Sequence, residues 1–187
     1  MTLGEGKKKA LKLLDEYSSG GEIQTDEDIG HRMKDLFDIA QKDVAQAKKI
    51  YRVAAIPLTG GTGTQLYDLP RDMMELVSMR RDGRVTTKYD IIGGKLVAAG
   101  NDVGELLIEY AAMPATIPDG AGDDYVFEVA EDAAECLPYY VAAQILMADL
   151  MIEFSPYWQI YLQKKAQLVP TVRRSGGGGV RNTLFRG

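Results

Sequence analysis

The stretch MMELVSMRRDGRVTTKYDIIGGKLVAAGNDVGELLIEYAAMP, residues 73–114, decides the fold class. Its apolar runs are interrupted at short intervals by RDG, IGG and AGND, and turn residues at such spacing are typical of a small antiparallel β-domain. We therefore predict a β-region over residues 50–128, which opens with the strand-like run IYRVAAIPL. The side chains expected to point inward are Val77, Val85, Tyr89, Leu96, Leu106, Ile108 and Tyr110.

Helical periodicity flanks this β-region on both sides. Apolar residues recur at helical spacing through TDEDIGHRMKDLFDIAQKDVAQAKKIY (25–51), and Thr25 is a good N-cap. The predicted helices span residues 5–17, 25–49, 131–153 and 157–169. Pro138 either kinks the third of them or marks a fresh first turn.

Helices from both ends of the sequence must pack together, because each has an apolar face to bury. The predicted fold is therefore α+β: one domain over residues 1–174, in which a helical bundle built from the N- and C-terminal helices carries a small inserted antiparallel β-domain. No apolar run approaches the roughly 18–20 residues of a membrane span, and the N-terminus has no apolar h-region of a signal peptide.

Charge is distributed unevenly along a chain whose formal net charge is −5. Residues 1–95 are nearly neutral, residues 96–163 contain 12 carboxylates and no Lys or Arg, and residues 164–187 contain 6 Lys or Arg and no carboxylate. Such a dipolar chain resists association through its acidic block and can dock its basic end on a negative partner. That partner is either nucleic acid or the acidic surface of another protein subunit.

The last stretch, VRRSGGGGVRNTLFRG (172–187), predicts a flexible basic arm over residues 175–187. A run of glycines has little backbone preference and lets the following segment find its own site. Apolar anchors between arginines have the form of a docking peptide that orders on binding; a disordered end or a cloning remnant is the alternative. The predicted docking residues are Arg173, Arg174, Val180, Arg181, Leu184, Phe185 and Arg186.

No motif in the sequence indicates catalysis. GGTGT lacks the Lys of a phosphate-binding P-loop, and one His and one Cys cannot build a His cluster or a multi-cysteine metal site. The carboxylate pairs Asp149–Glu153 and Glu105–Glu109 could bind a hard cation or act as acid and base, although a solvated acidic face is the better interpretation. We therefore expect no catalytic residue, no metal site and no cofactor.

Aromatic residues gather in the two C-terminal helices. Aromatic side chains at helical spacing usually form core or subunit interface rather than a platform for stacking nucleic-acid bases. The candidate subunit-interface residues are Tyr139, Tyr157, Trp158 and Tyr161.

Three stretches, with the helix that begins near Thr25, resemble head–tail connector (adaptor) proteins of tailed bacteriophages. They are YDLPRDMMELVSMRRDG (67–83), IGGKLVAAGNDVGELLIEYAAMPATIP (92–118) and LPYYVAAQILMADL (137–150). In that family an LP leads into a strand ending near a charged turn, a later strand runs into Y…P, and a helix similar to LPYYVAAQIL follows. The likeness covers residues 25–168, in order and at compatible spacing.

The resemblance implies a structural protein of the phage neck, assembled in the bacterial host cytoplasm. Family members form a homo-oligomeric ring, commonly of twelve copies, below the portal; the ring extends the DNA channel and joins the head to the next neck or tail protein. It implies that DNA passes through without sequence-specific binding and that no membrane is involved. The C-terminal arm would then pack against the portal or a neighbouring subunit.

Two other classes of function stay open at this point. A nucleic-acid-binding module that uses the basic C-terminal tail would bind DNA tightly and with a steep salt dependence as an isolated chain. A small hydrolase that uses the paired carboxylates would need a pocket or a cofactor, and the sequence offers residues for neither.

Overall fold

The computed structural model describes residues 1–15, 27–148 and 154–168. These residues separate into two compact units. The helical unit contains Met1–Ile50 and the described part of residues 114–171, and the β-unit contains Tyr51–Met113. The predicted single domain over 1–174 corresponds to these two units in the described residues.

Within the described residues, the helical unit contains four helices of at least twelve residues and one short helical turn. They are α1 (Leu3–Asp15), α2 (Glu27–Ala47), the turn α3 (Glu131–Ala134), α4 (Leu137–Ala148) and α5 (Phe154–Ala166). The helix predicted over 131–153 is thus divided into α3 and α4, with Pro138 in the first turn of α4. A proline is tolerated there because the N–H that it lacks would have no intrahelical acceptor. Among the described residues, none of the helices combines the length and the apolar content needed to cross a bilayer.

The apolar face of α2 forms the centre of the helical unit. Met33, Phe37 and Val44 recur at helical spacing and are fully buried. Helix α2 packs against α1, α4 and α5. Gly6 of α1 allows close approach, because a Cβ at this position would lie 3.0 Å from the Phe37 ring. The same core contains Leu3, Phe127, Leu137, Val141 and Tyr161.

The chain that returns from the β-unit is tied to α2 by polar contacts. The backbone N–H of Ile117 donates to Asp38 Oδ1 (2.9 Å), and the side-chain amide of Gln41 donates to the carbonyl oxygen of Ala115 (3.0 Å). Gln41 is fully buried, so this hydrogen bond forms away from solvent. Further along, Phe127 packs on Phe37 with ring centroids 5.3 Å apart. The irregular segment before α3 is therefore part of the core.

The β-unit is built from seven strands in two antiparallel sheets. The strands are β1 (Ile50–Thr59), β2 (Thr64–Asp68), β3 (Met73–Arg81), β4 (Arg84–Val85), β5 (Asp90–Ile92), β6 (Lys95–Ala99) and β7 (Val103–Ala112). One sheet has the order β1-β7-β3-β4 and the other the order β2-β6-β5. The turn between β3 and β4 is Asp82–Gly83, and both residues have positive φ (51° and 74°), as a two-residue hairpin turn requires.

Side chains from both sheets share one core in the β-unit. Of the side chains predicted to point inward, Tyr89, Leu96, Leu106, Ile108 and Tyr110 are buried, which confirms those five. Val85 is 40% exposed and Val77 is only partly buried, so both predictions are wrong. Val85 ends the two-residue strand β4, which pairs with β3 alone. Because β4 is short and lies at the edge of the sheet, no further strand covers the Val85 side chain.

The prediction of a helical bundle with a small inserted β-domain is wrong. The chain is an α+β mixed fold in which seven strands form two antiparallel sheets. The turn-rich middle of the sequence gives two antiparallel sheets rather than a small appendage of a helical bundle, and these sheets bury a core of their own. The flexible arm of that prediction, residues 175–187, lies outside the described residues.

Replacing Phe37 with Ala should destabilise the helical unit by about 3–5 kcal/mol, because the substitution leaves a cavity beside Gly6 and Phe127. The measurement is urea unfolding followed by far-UV circular dichroism. Ile39→Ala is the matched control on the same helix, since Ile39 is 51% exposed, and should change the stability by no more than about 0.5 kcal/mol. Equal losses for the two variants would contradict this packing.

Candidate functional site

Three aromatic rings bring α4 and α5 together. The ring of Tyr140 lies 5.9 Å from that of Trp158 and 5.1 Å from that of Tyr161, and the rings of Trp158 and Tyr161 are 5.4 Å apart. Tilted and edge-on pairs at these distances are favourable beyond the area that they bury. The aromatic residues of the C-terminal helices therefore hold these two helices to each other.

A polar contact anchors this aromatic cluster to α2. The hydroxyl of Tyr161 donates a short hydrogen bond to Asp43, and Lys165 Nζ donates to the same carboxylate oxygen at 2.7 Å. Burial and the neighbouring carboxylate raise the pKa of Tyr161 well above its ordinary value. The phenol therefore keeps its proton and acts as a donor. The sequence analysis missed Asp43 because its partners lie at the other end of the chain.

The four predicted interface aromatics have different surroundings within the subunit. Tyr157 and Tyr161 are 4% and 1% exposed, and the hydroxyl of Tyr157 donates to the carbonyl oxygen of Leu13 (2.6 Å). Tyr139 and Trp158 are partly exposed, with Lys164 Nζ 5.1 Å from the centre of the Tyr139 ring. Tyr139 and Trp158 thus have surface available to a partner, and Tyr157 and Tyr161 pack inside the chain. The subunit interface itself stays a prediction.

The acidic block predicted over 96–163 is partly neutralised by lysines of the N-terminal helices. Four carboxylates between residues 119 and 135 form ion pairs with lysines of α1 and α2, or of the residue after α2. The pairs are Lys7–Asp123 (2.9 Å), Lys9–Glu135 (2.6 Å), Lys34–Asp119 (2.5 Å) and Lys48–Asp132 (2.5 Å). Charges that are segregated along the sequence are therefore mixed in space.

A shallow cleft beside α1 shows the same mixture of charges. Its volume is about 390 Å³, and it is lined by Met1, Glu5, Lys8, Lys9, Glu131 and Glu135. The Lys9–Glu135 ion pair joins two of its walls. Alternating ammonium and carboxylate groups give no concentrated field of one sign, so the cleft is not suited to a strongly charged ligand.

A charged network closes one end of the β-unit. Asp102, which is 4% exposed, accepts hydrogen bonds from Lys88 Nζ (2.6 Å) and Arg81 Nη1 (3.0 Å). Arg81 also donates to the hydroxyl of Tyr89 (2.5 Å) and to the carbonyl oxygen of Val103 (2.9 Å). The Lys88 and Arg81 cations hold the pKa of Asp102 below its ordinary value, against the opposing effect of burial. The network links three segments of the β-unit.

The carboxylate pairs do not form a cation site in the described residues. Glu105 is exposed, whereas Glu109 is buried and accepts a hydrogen bond from Ser78 Oγ (2.9 Å). Asp149 and Glu153 lie outside the described residues. Within residues 1–15, 27–148 and 154–168, no three His, Cys, Asp or Glu side chains are grouped as metal ligands would be.

Cys136 is a buried thiol in the short segment between α3 and α4. Burial raises its pKa, and its Sγ donates to the carbonyl oxygen of Asp132 at 3.7 Å. A raised pKa disfavours the thiolate, which is the nucleophilic form. Cys136 is therefore poorly suited to act as a nucleophile.

The outward face of the three-stranded sheet carries an apolar patch that the sequence analysis missed. Leu66 lies directly opposite Val97, and Ile92 lies diagonally across from Val97. Leu66 and Ile92 are 61% and 65% exposed, while Leu96 and Ala98 on the opposite face are buried. Leu66, Val97 and Ile92 are called the outer-sheet patch below. The sequences QLYD and KLVAA could have indicated this patch. Successive side chains of a strand point to opposite faces of the sheet, so every second residue of these strands faces solvent.

Charged side chains border the outer-sheet patch. Asp68 and Lys95 form an ion pair at 2.5 Å on the same face, and Asp90 lies opposite Val97 at the edge strand β5. An apolar centre with a polar rim is the usual composition of a protein contact surface. The predicted docking residues of the C-terminal arm, from Arg173 to Arg186, lie outside the described residues.

No protein-family model matches the chain, and no curated protein is significantly similar to it.

Protonation of Asp102 should remove its contribution to stability. A carboxyl whose pKa is lowered by folding stabilises the fold above its ordinary value of 3.8, and this stabilisation is lost as the pH falls through the lowered value. Asp102→Asn should therefore be less stable than the natural chain at about pH 7, and the difference should shrink towards about pH 3.

Urea midpoints measured across this pH range test the prediction. Asp82→Asn is the control, because the Asp82 side chain is 93% exposed and Asn accepts the same positive-φ turn conformation. This substitution at an exposed position should change the stability only slightly at about pH 7. A pH-independent difference for Asp102→Asn would mean that its charge does not stabilise the fold.

Proposed function

We propose that this chain is a head–tail connector of a tailed bacteriophage. In this role it is a structural virion protein of the neck that forms a ring below the portal, extends the DNA channel and joins head to tail. Its partners are other copies of itself, twelve in the expected ring, together with the portal protein and the next neck or tail protein. It is assembled in the bacterial cytoplasm, and DNA passes through the ring without sequence-specific contacts.

The observation that carries this proposal is the agreement between the quoted stretches and the order of the elements. Leu69–Pro70 precedes β3, which ends at Arg81 beside the charged turn Asp82–Gly83. Strand β7 contains Tyr110 and ends two residues before Pro114, and LPYYVAAQIL begins α4. These are the positions that the resemblance implies for an LP-led strand, a Y…P strand and the following helix.

The chemistry of the described residues supports a structural role over a catalytic one. The most buried charged group of the β-unit, Asp102, is held by two cations of the same unit. The Asp43 carboxylate accepts hydrogen bonds from the neutral Tyr161 hydroxyl and from the Lys165 cation. Groups that are engaged in tying elements together are not poised for proton transfer to a substrate. This favours a protein whose function is assembly.

The proposal predicts that the purified chain forms a ring on the portal protein of the same virus. The measurement is electron microscopy of the two proteins mixed, with each protein alone as a control. A ring of regular copy number, coaxial with the portal, is the expected result. Scattered single copies, or no association with the portal at moderate salt, would contradict the proposal.

The nucleic-acid-binding alternative is tested on the same preparation. Titration of the chain into duplex DNA at increasing salt should show only weak binding, because the chain carries a net charge of −5. Tight binding whose affinity falls steeply with salt, without ring formation on the portal, would favour a DNA-binding module instead.

A further inference from the structure

We propose that a second cleft, between α1 and the start of α4, binds an acidic peptide segment of a partner protein, in which a carboxylate side chain stands beside an apolar one. This α1–α4 cleft has a volume of about 230 Å³ and lies within the helical unit. It adjoins the cleft described above, with which it shares Lys9 and Glu135. The inference goes beyond the connector role and does not depend on it.

The two walls of the α1–α4 cleft have the same helical spacing. They are formed by Lys9, Lys12 and Leu13 on α1, and by Glu135, Pro138 and Tyr139 across the join between α3 and α4. Residues at i, i+3 and i+4 lie on one face of a helix, and Glu135 preserves this spacing between the two helices because its backbone is right-handed helical (φ −66°, ψ −11°). The Lys9–Glu135 ion pair (2.6 Å) joins the walls. The cleft is therefore formed before a ligand arrives.

Cations outnumber carboxylates at the α1–α4 cleft. Lys9 is paired with Glu135, but Lys12 is exposed and forms no ion pair with any of the described residues. Lys164 Nζ lies 5.1 Å from the centre of the Tyr139 ring and likewise has no carboxylate partner within the described part of the chain. Two ammonium groups thus lie at this cleft without a counter-charge, and an acidic side chain would supply it.

The apolar side chains of the cleft provide a contact that the two cations alone do not. Exposed ion pairs contribute little to affinity, because water and salt screen them. Leu13 and Tyr139 are half-buried and Pro138 is buried, so they offer a fixed apolar surface next to Lys12. Tyrosine is also among the residues that contribute most to binding at protein interfaces. The ligand therefore needs an apolar side chain beside its carboxylate.

The cleft suits a peptide better than a nucleic acid. Lys164 covers one face of the Tyr139 ring, so at most the other face is open for stacking a base. The charge also changes sign nearby: Glu5 precedes Lys12 on α1 by about 10 Å along the helix and lines the adjoining cleft together with Glu131. A phosphodiester chain would meet these carboxylates, whereas a short peptide with one or two acidic side chains avoids them.

Titrations of the full-length chain, followed by two-dimensional ¹H–¹⁵N NMR, test the proposal. The probe is the acetylated and amidated peptide GLEFEG, and GLQFQG is its uncharged counterpart of the same shape. We expect GLEFEG to bind with a Kd below about 1 mM and to shift the amide signals of Leu13, Glu135 and Tyr139 most strongly. GLQFQG should bind more weakly by about fivefold or more, because it leaves the two ammonium groups unpaired.

Substitutions on α1 locate the bound peptide. Lys12→Gln should weaken the binding of GLEFEG by about two- to fivefold. Lys8→Gln is the matched control, because Lys8 lies one turn earlier, is also exposed and lines the adjoining cleft instead; binding should stay unchanged. Exchange of charge is the stricter test: Lys12→Glu should weaken GLEFEG further and strengthen GLKFKG. A merely structural role of Lys12 would not produce this exchange. Circular dichroism confirms that each variant is folded.

Four results would overturn the inference. Equal affinities for GLEFEG and GLQFQG would mean that charge plays no part in binding. Equal losses for Lys8→Gln and Lys12→Gln would place the peptide elsewhere. A lack of shifts at the cleft with about 5 mM GLEFEG would mean that the cleft binds no such peptide. A thymidine hexanucleotide that shifts the same signals at lower concentration would identify a nucleic-acid site. Ring formation on the portal is measured separately, so each of these results leaves the connector role standing.

Discussion

The apolar face of α2 has to be covered by residues from the far end of the chain. Phe37 and Val44 share a core with Leu3 of α1 and with Leu137, Val141 and Tyr161, so much of that cover comes from α4 and α5. The helical unit therefore depends on the return of the chain after the β-unit. The return is fixed where Asp38 accepts the N–H of Ile117 and where Phe127 packs on Phe37. The contacts that complete the packing of α2 therefore also fix the segment of chain that returns from the β-unit.

The parts of the fold that depend on local pattern could be predicted from the sequence. The period of α2 and the alternation at Leu106, Ile108 and Tyr110 are local signals, because each residue's side is set by its neighbours. The sequence did not decide whether one helix or two cover residues 131–153, because Pro138 is compatible with both a kink and a first turn. The division into two sheets was missed because it depends on which distant strands pair, and turn residues mark only where strands end.

The same limit applies to the candidate surfaces. Aromatic residues at 157 and 161 could be recognised as important, but their burial depends on Asp43 and Leu13, which the sequence does not bring close. Residues 96–163 contain carboxylates and no Lys or Arg, yet Lys7 and Lys48 neutralise part of this block. Leu66 and Ile92 became a patch only when the strand register placed them on either side of Val97. The character of these surfaces therefore depends on ion pairs and strand register, which amino-acid composition does not reveal.

The insertion also determines the order in which the chain can fold as it is synthesised. Tyr51–Met113 is continuous in sequence, so every strand of the β-unit is available once Met113 has left the ribosome. Helices α1 and α2 are made earlier, but the part of their core that α4 and α5 supply is missing until those helices follow. Chains are made at about 5–20 residues per second, so the apolar face of α2 waits for several seconds. The half that is synthesised first is therefore completed last, and during that interval it is the part of the nascent protein that most needs a chaperone.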